Sequence, residues 1–238
     1  MQTSANLDRC LTFINSQMRT GGKDEHSAQP RLAITFSRQT GCGAWEIAPR
    51  LARILEESGP KGDHAWTVFD RELVEKVLED HNLPAKLAQY MPEDKVSYFS
   101  DAVQELLGLH PPSWDLVRKT TDTIMRLAAI GRVILIGRGA NVVTGRLRHT
   151  LHVRLVGSLD VRIKRLMGRK GMDEKEARRT IEQSDRGRER YLKEYFRADL
   201  GDPLLYDLTV NTDRFTSDQS AELIAVAALQ RLGWRKAG

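Results

Sequence analysis

The sequence is short of cysteine, of aromatics and of long apolar runs. Cys10 and Cys42 are its only cysteines in 238 residues. They can form one bridge at most, which excludes a disulfide scaffold and suits a reducing compartment. Aromatic residues make up 6%, few for a protein that stacks single-stranded nucleic acid. No apolar run approaches the roughly 18 residues that a membrane span needs. The opening stretch MQTSANLDRCLTFINSQMRTGG has Asp8 and scattered polar residues where a signal peptide has an apolar block. The expected compartment is the cytoplasm, with no membrane contact. Counts of 18 Gly and 8 Pro are ordinary, which excludes collagen-like and low-complexity chains.

What remains is a chain with 40% hydrophobic residues, long enough for one large domain or two small ones with a real core. Its net charge of +5 is unevenly spread: residues 131–200 hold 18 Lys/Arg against 9 Asp/Glu, and the rest is slightly acidic. A basic, arginine-rich third reads either as a solvated helix surface or as a site for phosphate.

Residues 5–19 have the spacing of a short amphipathic helix, with Leu7, Leu11, Ile14 and Met18 on one side. Residues 20–30 read as a linker, so the folded domain is expected over 31–238. LAITFS (32–37), a glycine turn and a helix over Ala44–Ser58 make a strand–turn–helix unit, with Pro49 placed in or near the first turn. HAWTVFD (64–70) is a second strand followed by a helix; 81–115 reads as a proline-rich helical insert, and Ser113 as a cap for a helix to Ile130. RVILIG (132–137) is continuously apolar, as a parallel strand buried on both faces should be. LHVRLV (151–156) follows, with Ser158 as a cap. A charged helix runs from Asp173, which forms a capping box with Glu176, to about Arg197. DLTVN (207–211) is the last strand, and Thr216 with Gln219 opens a terminal helix whose apolar face takes in Leu223, Ile224, Ala227 and Leu232.

Five strands alternating with helices predict an α/β fold, a parallel sheet with helices on both faces. Ligands in such folds bind at the carboxyl ends of the strands. The candidates are therefore Ser37–Gly43, Asp70–Arg71, Gly137–Asn141 and Asn211–Asp213.

The first of these occupies the place of a phosphate loop. Set against G-x-x-x-x-G-K-[ST], the eight residues Arg38 to Trp45 match only at Gly43, with Ala44 in the lysine position and Trp45 in the hydroxyl position. Gly41 and Gly43 still allow a tight turn, and a helix amino terminus faces the loop. In the basic third, Arg138 stands between two glycines directly after a buried strand, where its planar fork suits a phosphate or an ion pair. Arg162, Arg165 and Arg169 recur at helical spacing, and Asp185 and Arg188 stand three apart, close enough to hold each other. Cys42 reads as a small residue that fits the loop, and Trp66, Trp114 and Trp234 as packing residues. His149 and His152 lack a third ligand at zinc spacing.

In order, Ser37-Arg38 with Gly41-x-Gly43 and Ile47-Ala48, Gly137-Arg138, Asp185-x-x-Arg188 with Tyr191, and Tyr206-Asp207-Leu208 with Asn211-Thr212 resemble the cytidylate kinase-like family, relatives of the nucleoside monophosphate kinases. The resemblance spans about residues 31–232. It implies a P-loop kinase fold with a helical insert and an arginine-rich lid over about 160–197. It implies phosphoryl transfer from ATP with Mg²⁺ to a nucleoside monophosphate, CMP or dCMP foremost. By position, Ser37, Arg38, Gly41, Cys42, Gly43 and Ala44 would surround the donor phosphates. Asp70, Arg71, Arg138, Asp185 and Arg188 would border the acceptor, and Arg38, Arg165 and Arg188 would act on the transferred group. No Mg²⁺ ligand is identified, and Ser37 is a candidate for one. True cytidylate kinases carry the loop lysine that Ala44 replaces, and Arg38 or a lid arginine is expected to compensate. The alternative is a nucleotide-binding sensor without efficient transfer; a nucleic-acid or phosphoprotein binder using the basic third is a more distant one.

Overall fold

A computed structural model describes residues 32–60, 65–70 and 115–233. The expected amino-terminal helix and linker, the helix from Arg71, Trp114, Trp234 and all of the insert but Asp115 lie outside these residues. The elements are β1 (Ala33–Arg38), α1 (Ala44–Ser58), β2 (Thr67–Phe69), α2 (Asp115–Ile130), β3 (Val133–Ile136), α3 (Ala140–Val143), β4 (Thr150–Val156), α4 (Leu159–Lys170), α5 (Glu174–Phe196), a 3₁₀ turn (Pro203–Leu205), β5 (Leu208–Asn211) and α6 (Ser217–Arg231). The strands form one parallel sheet in the order β2-β3-β1-β4-β5. The chain leaves β1 toward β2 and β3 on one side, then crosses to β4 and β5 on the other. The carboxyl end of central β1 is therefore the switch point where a crevice opens.

Alternation along the strands sends side chains to two cores. Leu32, Ile34, Phe36, Val153 and Leu155 pack with α1 and α6. Ala33, Phe69, Val133 and Leu135 pack with α2, α3 and Phe196 of α5. On this second face β1 and β4 carry a buried polar column instead of an apolar one. Thr150 is in register with Ala33, His152 with Thr35 and Arg154 with Ser37, and all but Ala33 are polar and buried.

Local signals explain the helices that border the crevice. Asp173 caps α5 by accepting from Glu176 N at 2.8 Å. Thr216 and Gln219 form a reciprocal capping box on α6. Ser158 takes the cap position of α4 but makes no capping bond. Its N–H donates instead to Asp213 at 2.8 Å, and its bonds hold the Asp213 carboxyl below the ordinary range. Pro49 falls in the second turn of α1, on an exposed position. The core face of α6 is Ala221, Ile224, Ala225 and Ala228, and Leu223, expected on it, is 39% exposed. With the core face at 221, 224, 225 and 228, the 3.6-residue period puts Leu223 on the opposite side of α6. Helices α4 and α5 share a small core of their own, Ile163, Leu166, Ala177 and Ile181. Among the described residues no helix is long and apolar enough to cross a membrane.

Candidate active site

At the crevice, β1 runs into the loop Gln39–Gly43, and α1 starts from Gly43 in the left-handed conformation (φ 76°). Gly41 is required twice. Its φ is +87°, and a Cβ there would stand 2.6 Å from the carbonyl oxygen of Arg162. The close approach that needs this glycine is to the backbone of α4, where the sequence pointed to an anion. Cys42 is 1% exposed, and burial pushes its thiol pKa up. It is a packing residue held as the protonated, unreactive thiol.

The loop is tied to α5 by one carboxylate. Asp185 Oδ1 accepts from Thr40 N and from Thr40 Oγ1, both at 2.8 Å, and from Arg188 Nη1 at 2.7 Å. Its Oδ2 accepts from Arg162 Nη1 at 2.6 Å. Arg188 Nη1 also donates to Thr40 Oγ1 at 2.8 Å, and Nη2 to Ser184 Oγ at 3.1 Å. The pair expected from their spacing thus exists, and two further residues complete it.

Arg38 closes the other side. Its guanidinium lies across Gly137, where any Cβ would overlap Nη1 and where φ is +85°. Burial, then the charges of Arg188 and Arg138, push its pKa down to about 9. Arg188 is lowered mainly by burial, against the raising effect of Asp185. Arg138 has φ +54° between two left-handed glycines and stands 5.8 Å from the Tyr191 ring. A non-glycine residue held in this conformation at a strand end is the kind of local strain that functional sites retain. Arg38 therefore feels the charges of two further arginines, opposed by those of Asp185 and Asp70. The crevice is a cavity of about 440 Å³ lined by Arg38, Gln39, Arg154, Arg162, Asp185 and Arg186 on one side and by Asp199–Gly201 on the other. This is within the size range of small-ligand sites.

The structure brings together Ser37, Arg38, Asp185, Arg188 and, through their charges, Arg138 and Asp70. Arg71 lies outside the described residues. Gly43 and Ala44 form the start of α1. Arg165 is placed elsewhere: it donates to Thr212 Oγ1 at 2.8 Å and to Thr212 O at 2.5 Å, tying α4 to the end of β5. Arg169 stacks 4.2 Å from the Trp45 ring. Gln39 and Thr40 fell within the candidate loop Ser37–Gly43 without roles of their own, and Arg154 escaped sequence reasoning. The one signal for Arg154 was an arginine inside an otherwise apolar strand.

The described residues offer no site that holds a metal by protein side chains alone. None of them form a group of three or more His, Cys, Asp or Glu able to hold a metal. The Ser37 hydroxyl accepts from Arg154 Nη1 at 2.7 Å, a cationic neighbour that a metal ligand would not have.

A parallel sheet in this order, with a glycine loop after the central strand leading into a helix, is the α/β arrangement of the P-loop kinase fold. The chain belongs to the cytidylate kinase-like family, which it matches over residues 33–214. It is thus a nucleotide-binding transferase of the nucleoside monophosphate kinase class. A cytidylate kinase from Methanopyrus kandleri is 29% identical over 204 residues, covering 82% of this chain and 92% of that one. A solved, uncharacterized protein from Eubacterium ventriosum superposes with a TM-score of 0.65 at 20% identity, covering 84% of this chain and 99% of that one.

Proposed function

We propose that this protein transfers the terminal phosphoryl group of ATP to a nucleoside monophosphate, with CMP or dCMP as the first acceptors to test. The observation that carries the reading is the buried guanidinium of Arg38 at the end of β1, its pKa lowered to about 9 by burial first and then by the charges of Arg188 on α5 and Arg138 after β3. Like charges held this close, in a partly buried crevice, call for an anion between them. The CMP preference rests on the family and on the Methanopyrus relative.

In the transfer, the bond between the γ-phosphorus of ATP and its bridging oxygen breaks as an oxygen of the acceptor phosphate bonds to that phosphorus, leaving ADP and a nucleoside diphosphate. Little covalent chemistry falls to the protein, which positions the reactants and neutralises the spreading charge. Arg38 and Arg188 are placed for this, with Arg188 oriented by Asp185 and Ser184. Arg138 and Asp70, at the ends of the neighbouring strands, border the acceptor. The magnesium that accompanies ATP enters with the nucleotide as part of the substrate, since the described residues offer it no ligand set. In this reading α4 and α5, which line the crevice, are the elements that keep water from the phosphoryl group.

A second reading is nucleotide binding without efficient transfer, favoured by Ala44 in the lysine position. One assay separates them: ADP release from ATP·Mg with and without CMP, dCMP, UMP, AMP and GMP. Release that depends on one acceptor is expected, and Arg38→Ala should lower that turnover by about 10²–10³-fold. ATP binding with no release for any acceptor would replace transfer with sensing.

A further inference from the structure

Arg154 is 8% exposed, in the middle of the sheet edge that faces the crevice. Its only side-chain hydrogen bond among the described residues is from Nη1 to Ser37 Oγ at 2.7 Å. Its guanidinium also stands 5.6 Å from the Tyr206 ring, and Tyr206 is anchored by donating to Leu200 O at 3.0 Å. No carboxylate among the described residues lies within ion-pair distance of it, whereas Arg162 and Arg188 beside it share Asp185. The positive charge of Arg154 lowers the pKa of Arg188, so the two are electrostatic neighbours. A buried guanidinium has five donors to satisfy and a charge to neutralise. Here one donor is used within the protein, the remaining donors are not sealed from solvent, and no carboxylate among the described residues pairs with the charge. The side chain lines the crevice cavity, so the missing counter-charge belongs there.

We propose that Arg154, presented from β4, is a phosphate-binding residue of this site. Register makes this workable. Ser37, the last buried residue of β1 before the loop, is the direct partner of Arg154 across the ladder. The Ser37 hydroxyl fixes one arm of the fork and leaves the other donors for the ligand, and the Tyr206 ring supports the plane. A strand-borne guanidinium is rigidly placed, and its fork suits phosphate oxygens. The inference rests on the reading of the crevice as a nucleotide site and names a residue of that site.

The test uses the full chain and the variants Arg154→Met and Arg154→Lys. The ligand-free melting temperature of each is measured, together with calorimetric affinities for ATP, CMP and inorganic tripolyphosphate. Arg154→Met is expected to melt at or above the wild-type temperature, because replacing an unmatched buried charge by an apolar chain relieves the empty fold. Its dissociation constant is expected to rise roughly 10- to 100-fold for the ligand that Arg154 holds. Arg154→Lys, which keeps the charge and loses the fork, should fall between. Loss for ATP and tripolyphosphate assigns the donor phosphates; loss for CMP alone assigns the acceptor phosphate. Arg154→Met with wild-type affinity for all three, at whatever melting temperature, overturns the assignment and leaves the nucleotide site standing. If that variant does not fold, wild-type affinities in Arg154→Lys overturn it. A wild type that binds none of the three overturns the proposal and the nucleotide reading together.

Discussion

His152 shows what a single buried group contributes. It is 8% exposed in β4, with Nδ1 2.9 Å from Thr35 Oγ1. Burial holds its pKa below the ordinary value, with Asp207 pulling the other way and Arg231 adding to the lowering. The unfolded chain therefore binds a proton at a pH where the folded chain does not. The stability this gives is complete above about pH 6.5, the unfolded value, and is lost as pH falls below it toward the depressed folded value. Urea midpoints should hold level from pH 8 to 7 and decline below 6.5, and His152→Gln should remove that part of the decline. An identical pH slope in the variant would sink this account. The same column of residues marks where the sequence was opaque. LHVRLV is legible as a strand, but its polar residues read as interruptions, and nothing local shows that His152 meets Thr35 and Arg154 meets Ser37. Both partners lie 117 residues away. Spacing rules also direct attention to residues just past a strand, and Arg154 lies inside one.

At the scale of elements, α4 and α5 are held to the sheet at a few points, and Asp185 is the most heavily used. It accepts four hydrogen bonds from Thr40, Arg162 and Arg188. Asp185→Asn keeps the shape and removes the charge, leaving two arginines without their shared counter-ion. The group is about one-quarter exposed, so the loss lies between that of a surface pair and a buried one, about 1–3 kcal/mol. Hydrogen exchange should show it as faster exchange of α4 and α5 amides with the central strands still protected. Unchanged protection of those helices would remove Asp185 as their tether. The elements themselves were largely legible: the strand order of appearance, the bounds of α1 and the caps of α5 and α6 follow from apolar period and end signals. The i, i+3 pairing of Asp185 with Arg188 was legible for the same reason. Its link to Thr40, 145 residues away, was not, and neither was the turn of Arg165 toward Thr212, because helical spacing fixes a face without saying what the face meets.

Across the whole molecule, the basic surplus of residues 131–200 divides by use. Some arginines make local pairs on exposed helix surface, such as Arg178 with Glu174 and Arg186 with Glu182. Others brace the fold: Arg132 bridges to Glu56 at 2.7 Å, and Arg165 grips Thr212. Arg138, Arg154 and Arg188, with Arg38 from outside that stretch, form the charged group at the crevice. Three arginines of the stretch are therefore gathered at one partly buried site, while other basic residues, such as Lys164, Arg179, Arg190 and Lys193, lie exposed along α4 and α5. That difference governs how salt acts. A solvated basic face loses polyanion binding steeply as salt rises, whereas charges in a crevice are screened less. ATP at about 100 times its dissociation constant should stabilise the fold by about 2.7 kcal/mol, which for a domain of this size raises the melting temperature by roughly 5–11 °C. Measured at fixed ATP, the shift should shrink between 50 and 500 mM KCl and still be present at the higher salt. A melting temperature that ATP leaves unmoved at 50 mM KCl, in a protein that binds RNA or DNA with a steep salt dependence, would show that the arginines serve a nucleic-acid face and not a nucleotide.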